Sequence, residues 1–334
     1  MKHTTFALAV GAALILSACG GGGGDAPAPV ASAPVSTLST ITAGNANSVA
    51  ANGYGASTVI GDSSSSFTGI LTGVSVSGGG GVGVVAPVLK LIRHAGSAPQ
   101  LLTGVTMSSS CSGGGTVTID ATMRSEQALS NGDTMSVSAQ NCVEDGETVN
   151  GKLSVTFSNL SGDMLNSSIF GATLDLRFTT LSITSGSEAV TVNGDMKVAI
   201  NQASPTSNSL SISGQSLQAT EQRSGSTIAS VTLANYTMTG STNGNAITSA
   251  ASFAVAGNST ALGQFSYTVK NVQPFVSTGR AVPDSGALIV NGAGSSVTLT
   301  VVDSNNVRLD HSAKGDGVIT QTNTLTWAAF LALQ

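Results

Sequence analysis

The chain has 334 residues, of which 41 are glycine, 9% are charged and 4% are aromatic, while Ser and Thr together number 87. With 12 basic and 17 acidic residues the formal net charge is −5. This balance excludes a nucleic-acid-binding protein, because too few cations are present to neutralise a run of phosphates. The composition also excludes coiled coils and helical bundles, whereas 40% apolar residues suffice to bury a core.

The N-terminus carries the most specific signal in the sequence. Lys2 and His3 precede an apolar run over residues 6–16, which is too short for a membrane-spanning helix of about 20 residues. Such a run is typical of a secretory signal peptide. It ends in Leu-Ser-Ala-Cys at residues 16–19, which resembles the lipobox of bacterial lipoproteins. An ordinary signal peptide with a chance cysteine is the competing interpretation.

The lipobox resemblance implies that Cys19 is lipidated and becomes the first residue of the mature protein. In that family the signal peptide, here residues 1–18, is removed, the cysteine thiol is diacylated and the new amino group is acylated. Several acyl chains anchor a protein stably, so the resemblance makes the membrane a partner through Cys19. Gly20 follows the cysteine where inner-membrane lipoproteins often have Asp, which favours the outer membrane of the cell envelope. Residues 19–40, rich in Gly and then in Pro and Ala, are expected to be a tether.

The other two cysteines, Cys111 and Cys142, form an even pair in an oxidising compartment. Alternating segments at 116–123 and 133–139 flank a turn signal, Ser-Asn-Gly-Asp, at residues 130–133. Because a hairpin folded at this turn brings the two thiols together at its open end, the sequence predicts a Cys111–Cys142 disulfide. A free or catalytic thiol pair is the alternative, which no CxxC spacing supports.

Residues 41–110 are predicted to form a helical and low-complexity N-terminal region. Apolar positions recur with a weak helical period between residues 42 and 54, with Thr42 as the N-cap. A second short helix is predicted to open near Pro87, since apolar residues recur at helical spacing from 84 to 92. The glycines at 78–81 are interpreted as a hinge or linker, although the composition there is equally typical of disorder.

From residue 111 to residue 334 apolar and polar residues alternate, as in Leu153, Val155 and Phe157. A period of two is typical of strands with one buried and one solvated face. About 12 or 13 such strands are expected, the last including Leu325 and Trp327, with no helix between them. We therefore predict an all-β fold, a large, mostly antiparallel sheet joined by hairpins and curled into a barrel-like or sandwich form.

Four Asn-Gly dipeptides are predicted to separate these strands as hairpin turns, at residues 150–151, 193–194, 243–244 and 291–292. Their irregular spacing argues against a solenoid or propeller. The apolar parity slips by one residue between Phe178 and Leu181, and again between Leu233 and Tyr236. Each slip would turn the buried face outward, so a β-bulge is predicted at both places.

Two histidines, His94 and His311, follow the signal peptide. His311 continues the apolar face after Leu309, so it is expected to be a hydrogen-bonded core residue, while Asp310 points to the other face and does not orient it. His94 is expected at the surface, at a helix C-terminus. Two isolated histidines without further cysteines give no zinc site of ordinary spacing.

Candidate catalytic groups are sparse. Residues 146–152 match the first seven positions of a phosphate-binding loop, but Leu153 then replaces the Ser or Thr that would hold Mg²⁺, and a strand follows. We interpret this segment as a hairpin turn. Asp120 and Asp175 are carboxylates that a glycan-acting enzyme would need as a pair, yet both lie on solvated strand faces with no motif that pairs them. No catalytic residue and no cofactor are predicted.

Calcium is the metal for which the sequence offers ligands, and the signal is weak. Asp303, Asn305 and Asp316 lie in turns on either side of the penultimate strand and supply oxygen atoms. Neither turn matches an EF-hand loop, and Asp, Asn and Gly are the residues that hairpin turns require in any case. No metal site is predicted, and these three residues are kept as the calcium candidates.

The sequence thus predicts a lipid-anchored, disulfide-bonded, all-β protein of the cell envelope that is not an enzyme. Its role is expected to be structural or binding, with the Ser/Thr face or the open end of the sheet meeting an envelope protein or a glycan. The alternative is a periplasmic carrier that encloses an apolar ligand such as lipid in the curled sheet. A glycan-acting enzyme is the third hypothesis.

Overall fold

Long strands dominate the chain, as the alternation of apolar and polar residues predicts. The computed structural model describes residues 37–58, 105–125, 129–144, 146–162, 169–259, 262–280 and 282–333. The predicted signal peptide, Cys19, most of the tether, the second helix near Pro87 and His94 lie outside the described residues.

Fourteen strands in the described residues form one antiparallel sheet, in which every strand pairs with its neighbours in sequence. The sheet is not closed, since β1 and β14 are its two edges. The all-β prediction is confirmed, with one or two strands more than expected. The strands are β1 Val105–Ser110, β2 Thr116–Thr122, β3 Thr134–Glu144, β4 Glu147–Gly162, β5 Phe170–Ser185, β6 Glu188–Ser204, β7 Ser207–Arg223, β8 Ser226–Asn243, β9 Ala246–Ser259, β10 Gly263–Thr278, β11 Ser285–Gly292, β12 Ser295–Val301, β13 Asn306–Ser312 and β14 Gln321–Thr326.

The apolar face of the sheet is buried along its whole width and forms one core. Leu153, Val155 and Phe157 of β4 are each no more than 1% exposed. The same core includes residues of the first strands, such as Val117, and of the last, such as Leu309. We call this buried side of the sheet the inner face and the opposite side the outer face.

Helix α1, Ala46–Thr58, lies against strands β9 to β13. The predicted helix is therefore present, but it begins later than expected. Thr42 is not the N-cap, because the helix starts at Ala46, four residues later. The Thr42 carbonyl accepts the N–H groups of Asn45 and Ala46 in a turn that precedes the helix. The apolar residues that suggested the helix are buried against the sheet, Val49 to 2% exposure and Tyr54 to 6%.

A second helix, α2 Trp327–Leu331, ends the described chain. Trp327 was predicted to continue the last strand, but the side chain of Thr326 caps a helix at this point. The ring of Tyr54 on α1 packs against Phe275, Trp327 and Phe330, with ring centroids 5.1, 5.2 and 5.7 Å away. This aromatic cluster joins both helices to the sheet.

The segment before α1 is tied to the same part of the sheet by backbone hydrogen bonds. The Ser39 N–H donates to the Ser266 carbonyl at 2.8 Å, and the Ser39 carbonyl accepts the Ala293 N–H at 2.9 Å. Ile41 N–H donates to the Ser295 hydroxyl at 2.8 Å. The N-terminal strap, defined as residues 39–41, is therefore part of the β domain.

The long strands change register near their middles. Shifts between Phe178 and Leu181, and between Ala234 and Thr237, confirm the two predicted bulges. At the first of them Thr180 has a φ of 47°, in the left-handed region. Because a bulge bends its strand and increases the local twist, a series of bulges curls the sheet.

The dipeptide Asn150-Gly151, predicted to be a turn, lies inside β4. The Asn150 Oδ1 accepts the N–H of Asn141 on β3 at 2.7 Å. Gly151 has a φ of 102°, and a Cβ added there would lie 2.1 Å from the Thr180 carbonyl oxygen on β5. The turn prediction is wrong because a bulge makes the same demand as a turn for a glycine with positive φ.

Asn193-Gly194 was also predicted to be a turn and lies inside β6 instead. The Asn193 Oδ1 accepts the N–H of Thr180 at 2.6 Å, and a Cβ on Gly194 would lie 2.1 Å from the Ser216 carbonyl oxygen. The bulge at Thr180 is thus held from both sides, by Gly151 of one neighbouring strand and Asn193 of the other. Successive bulges interlock across the sheet.

The other two Asn-Gly dipeptides lie at strand ends. The predicted turn between β8 and β9 is confirmed, with Asn243 as the last residue of β8 and residues 244–245 as the turn. Asn291-Gly292 closes β11, and residues 293–294 make the turn that follows.

The disulfide between Cys111 and Cys142 is present, with the two Cα atoms 5.4 Å apart. The hairpin used to predict it is also confirmed, since the Asp133 N–H donates to the Ser130 carbonyl at 3.0 Å in the turn between β2 and β3. Cys142 directly follows Asn141, whose φ is 48°. The disulfide therefore lies at the first bulge of the series.

Candidate functional site

The outer face carries mainly hydroxyl side chains, arranged in rows that cross the strands. Directly paired residues of antiparallel strands lie on the same face of a sheet. One such row passes through Thr122, Thr134 and Thr156 on β2, β3 and β4. It continues to Asp175 on β5 and Lys197 on β6. The Ser/Thr-rich solvated positions noted in the sequence therefore form a continuous surface.

Part of this surface is concave over strands β4 to β9. The groove has a volume of about 520 Å³, and its lining contains no charged and no aromatic residue. Two adjacent rows form its floor, and we call it the β4–β9 groove. The first row is Thr173, Ala199, Ser211, Thr239 and Ala250. The second row is Gly171, Asn201, Ser209, Ser241 and Thr248.

A strained backbone position supports one end of the β4–β9 groove. Asn159 has a φ of 50°, and its Nδ2 donates to the Thr173 hydroxyl at 3.2 Å. Thr173 is only 5% exposed although it belongs to the outer face. The bulge at Asn159 thus covers Thr173 and shapes the groove. This bulge was not predicted, although Leu160, which packs against the core three residues after Phe157, records the change of parity.

A second groove of about 380 Å³ lies over strands β1 to β4, and we call it the Asp120 groove. Its floor includes the row Thr106, Asp120, Ser136 and Ser154. The Thr106 hydroxyl donates to the Asp120 carboxylate. Between Asp120 and Ser154 in this row, the Ser136 Oγ is buried and has no hydrogen-bond partner. A buried hydroxyl without a partner costs about 1–3 kcal/mol, which makes Ser136 the least satisfied position of the outer face.

The two grooves are neighbours, because β4 lines both of them. Thr156 lines the Asp120 groove, and Asn159 lines the β4–β9 groove three residues later. We call the combined surface the hydroxyl track. Asp175 and Lys197 lie beside it and form an ion pair at 3.5 Å, with both side chains about half exposed. Their charges offset each other, and neither residue lines a groove. Asp120 is therefore the one charged residue in the track's lining.

The structure does not pair the two candidate catalytic carboxylates. Asp120 lies on β2 and Asp175 on β5, three strand steps of about 4.8 Å apart. The resulting separation of about 14 Å exceeds the spacing of about 5–9.5 Å that glycoside hydrolysis requires. Residues 146–152, the phosphate-loop-like segment, form a turn residue and the start of β4.

His311 lies on the inner face at 5% exposure, as the alternation predicts. Its Nε2 is 3.0 Å from the Ile41 carbonyl oxygen, and its Nδ1 is 3.3 Å from the Thr320 hydroxyl. Asp310 points to the outer face, where it accepts hydrogen bonds from Arg308 and Thr322. His311 thus holds the N-terminal strap on the sheet and contacts no acidic side chain that would make it a catalytic base.

The calcium candidates lie at opposite ends of β13. The Asp303 Oδ1 accepts the N–H groups of Asn305 and Asn306 at 2.7 and 2.8 Å, and these bonds lower the pKa of the carboxyl. Asp316 accepts the Ser312 hydroxyl at 3.2 Å and the Val318 N–H at 3.0 Å. Seven residues of strand, about 23 Å, separate the two turns, so these groups do not converge on one ion.

Among the described residues, one group of three potential metal ligands is close together, namely Cys111, Cys142 and Glu144. Both sulfur atoms are engaged in the disulfide, and Glu144 accepts hydrogen bonds from Ser112 at 2.9 and 2.6 Å. The disulfide and the hydrogen bonds from Ser112 therefore account for this cluster without a metal ion.

A small cavity lies on the inner face between α1 and strands β9 to β11. Its volume is about 20 Å³, which is room for about one water molecule. The Asn52 Nδ2 donates to the Ser48 carbonyl at 2.8 Å, while the Asn52 Oδ1 is buried and has no partner. A polar atom at so small a cavity suits a bound water rather than an apolar ligand.

No helix in the described part of the chain is long and apolar enough to cross a membrane. The candidate site is thus the hydroxyl track of the outer face, whose rows follow from strand register. Comparison of the chain with protein-family models, with curated proteins and with solved structures finds no match.

Proposed function

We propose that this protein is a lipoprotein of the outer membrane that uses the hydroxyl track to bind a component of the cell envelope, without catalysis. The observation that carries the binding role is the track itself, two neighbouring grooves of about 520 and 380 Å³ on the outer face of the sheet. The lipobox at residues 16–19 and the tether up to residue 40 support the anchored location.

A binding role is favoured over catalysis because the track holds a single carboxylate, Asp120, within its lining. General acid–base chemistry on a glycan needs two such groups at a defined separation. The nucleophile and base pairs that activate a hydroxyl are likewise missing from the lining, which includes no histidine and no lysine.

A binding role is also favoured over the carriage of an apolar ligand inside the sheet. A carrier of lipid needs a ligand-sized apolar cavity, of the order of 300 Å³ or more. The cavity between α1 and the sheet has about 20 Å³, and Gly53 of α1 is so close to β11 that a Cβ there would lie 2.8 Å from the Val290 side chain. Such close packing between α1 and the sheet leaves no room there for a lipid-sized ligand.

The anchor is tested by mass spectrometry of the mature N-terminus and by fractionation of cells. We expect the mature protein to start at acylated Cys19, and we expect Cys19→Ser to move the protein from the membrane fraction to the soluble fraction. A mature N-terminus elsewhere, or membrane association unchanged in Cys19→Ser, would contradict the anchored location.

The binding role is tested by co-sedimentation of the purified full-length protein, in detergent, with envelope fragments from cells that lack it. Thr239 lies exposed in the floor of the β4–β9 groove, so Thr239→Arg should fill the groove and reduce the bound fraction at least tenfold. Thr324 is equally exposed on the outer face of β14, outside the track, so Thr324→Arg is the matched control and should bind normally. Equal binding by the two variants would refute a role for the track.

A further inference from the structure

The hydroxyl track is long, and its length bears on the kind of ligand it takes. It extends from Thr106 on β1 to Pro274 on β10. Nine steps between neighbouring strands, at about 4.8 Å each, give a length of about 40 Å. Strands β1 to β9 each contribute hydroxyl, carboxylate or amide side chains to the lining. A surface that repeats the same chemistry over this distance suits a polymer rather than a small molecule.

The charge of the track restricts that polymer. The lining of the β4–β9 groove is uncharged, and Asp120 is the single charge in the Asp120 groove. A polyanion or polycation would give up hydration without gaining a counter-charge along most of the track. The ligand that fits is therefore uncharged and rich in hydrogen-bonding groups.

The backbone of the track restricts the ligand further. Strands β2 to β9 are paired on both sides, so their N–H and C=O groups are already bonded to neighbouring strands. An extended peptide binds a sheet by adding to a free edge, and within the track β1 alone, at one end, offers one. The lining also has no aromatic residue and no arginine, the residues that dominate protein–protein interfaces. A ligand in the β4–β9 groove therefore meets side-chain hydroxyls and amides together with the apolar groups of Ala199, Ala250 and Pro274.

The Ser136 Oγ supplies a separate indication of a missing polar group. It is buried, has no hydrogen-bond partner, and lies between Asp120 and Ser154 in the floor of the Asp120 groove. A carboxylate flanked by hydroxyls accepts hydrogen bonds from ligand hydroxyls and offers donors in return. A ligand carrying adjacent hydroxyl groups satisfies both Asp120 and Ser136.

We propose that the hydroxyl track binds one chain of an uncharged polysaccharide, laid across the strands from the Asp120 groove to the β4–β9 groove. The proposal rests on the binding role proposed above and names its ligand. Recognition is by hydrogen bonds without ring stacking, so each sugar contributes little and affinity is gained from many sugars of one chain.

The first experiment measures binding of the full-length protein in detergent to insoluble or immobilised polysaccharides. The uncharged probes are cellulose, chitin, amylose and xylan, and the charged probes are alginate and chitosan. We expect at least one uncharged polymer to bind, and its short oligosaccharides to compete at least tenfold less well than the polymer. Binding to the charged polymers alone, or to none of the six, would overturn the proposal.

The second experiment assigns the binding to the track. Asp120→Asn and Ser136→Ala each remove one ligand contact and should weaken binding about tenfold or less, while Thr239→Arg should abolish it. Thr324→Ala and Thr324→Arg are controls on the same face outside the track and should bind as the unaltered protein does. Circular dichroism and melting temperature verify that each variant is folded. Equal affinity across all variants would contradict a site in the track.

The third experiment separates failure of this inference from failure of the proposed function. Envelope fragments are treated either with glycoside hydrolases that degrade the polymer bound in the first experiment, or with protease. We expect the glycoside hydrolases to remove the binding that depends on Thr239 and protease to leave it. If protease removes that binding and the glycoside hydrolases do not, the track binds an envelope protein, and the polysaccharide proposal fails while the binding role stands.

Discussion

Two regions of the same sheet are stabilised by different means. In β3 to β9 the strands are long, 11 to 18 residues, and carry bulges whose backbone groups are bonded by Asn and Asp side chains of the neighbouring strands. In β11 to β14 the strands have six to eight residues and pair without register shifts. There the inner face is covered by α1, α2 and the N-terminal strap.

The comparison shows how an open sheet buries its apolar face at each place. The bulged region curls, because each bulge adds bend and twist to its strand. The regular region stays short and is covered by helices, whose aromatic cluster around Tyr54 fills the space. The two outer-face grooves of the candidate site lie over the first region and its continuation to β1, so the bulges that curl the sheet also shape the candidate site.

The largest effect is expected from crowding a bulge. Gly194→Ala places a Cβ 2.1 Å from the Ser216 carbonyl oxygen at a φ of 126°, so the two strands must separate. Overpacking and the unfavourable φ together should lower the free energy of unfolding by about 3–5 kcal/mol, measured by urea denaturation. Gly186→Ala is the control, since its φ is 58° but no atom lies within 4 Å, and it should cost about 1 kcal/mol. Similar losses in both variants would show that the bulge contact is unimportant.

These glycines also show what the sequence could and could not predict. The alternation of apolar and polar residues predicted the all-β fold class. The changes of apolar parity after Phe178 and Leu233 predicted two bulges, because apolar residues lie on both sides of each change. Asn150-Gly151 and Asn193-Gly194 were misassigned because turns and bulges require the same residue types. Only the pairing of a third strand distinguishes them, and that contact is not local in the sequence.

The candidate site was predictable in composition but not in shape. The Ser/Thr pattern of the solvated positions is visible in the sequence, and the rows follow once the register is known. The grooves depend on how far the bulges bend each strand, and the burial of Thr173 depends on the conformation of Asn159. Asp303, Asn305 and Asp316 carry oxygen atoms that could bind calcium, but the turns that hold them are too far apart to form one site.

The disulfide should have the next largest effect, since it holds the first bulge of the series at Asn141. Replacing Cys111 and Cys142 by Ser should lower the free energy of unfolding by about 3.7 kcal/mol, the loop-closure value for about 30 residues. Thermal melting with and without a reducing agent checks this. The unaltered protein should lose stability on reduction, and the double variant should not respond. If the double variant were as stable as the oxidised protein, the disulfide would not contribute to stability.

In the helix-covered region, His311 should have a smaller and more local effect. His311→Phe leaves the Ile41 carbonyl of the N-terminal strap without its partner, which costs about 2 kcal/mol. Faster amide hydrogen exchange is expected in the strap and in α1, with β4 to β7 unchanged. Thr320→Val removes the contact at the other ring nitrogen, keeps the Ile41 bond, and should change the exchange less. Uniformly faster exchange across the sheet would mean that the two regions unfold as one unit.

The smallest effect is expected at Glu221, a residue of the bulged region whose side chain lies on the inner face at 9% exposure. Desolvation raises the pKa of this carboxyl, Arg223 opposes the shift and Glu188 adds to it. The pKa of Glu221 is therefore higher in the folded protein than in the unfolded chain. Protonated Glu221 contributes its full stabilisation of the folded state at pH values below the unfolded pKa. This contribution is lost as the pH rises through the folded-state pKa.

Glu221→Gln keeps the shape of the protonated form at every pH. It should therefore raise the free energy of unfolding at pH 7 by less than about 1 kcal/mol, and the difference should vanish below about pH 4, where the carboxyl is protonated in both states. Melting temperatures of the two proteins between pH 3 and pH 8 measure this difference. A variant less stable at pH 7 would mean that the attraction between Glu221 and Arg223 outweighs burial. The inner face at this end of the bulged strands would then tolerate charge, unlike the aromatic core under α1.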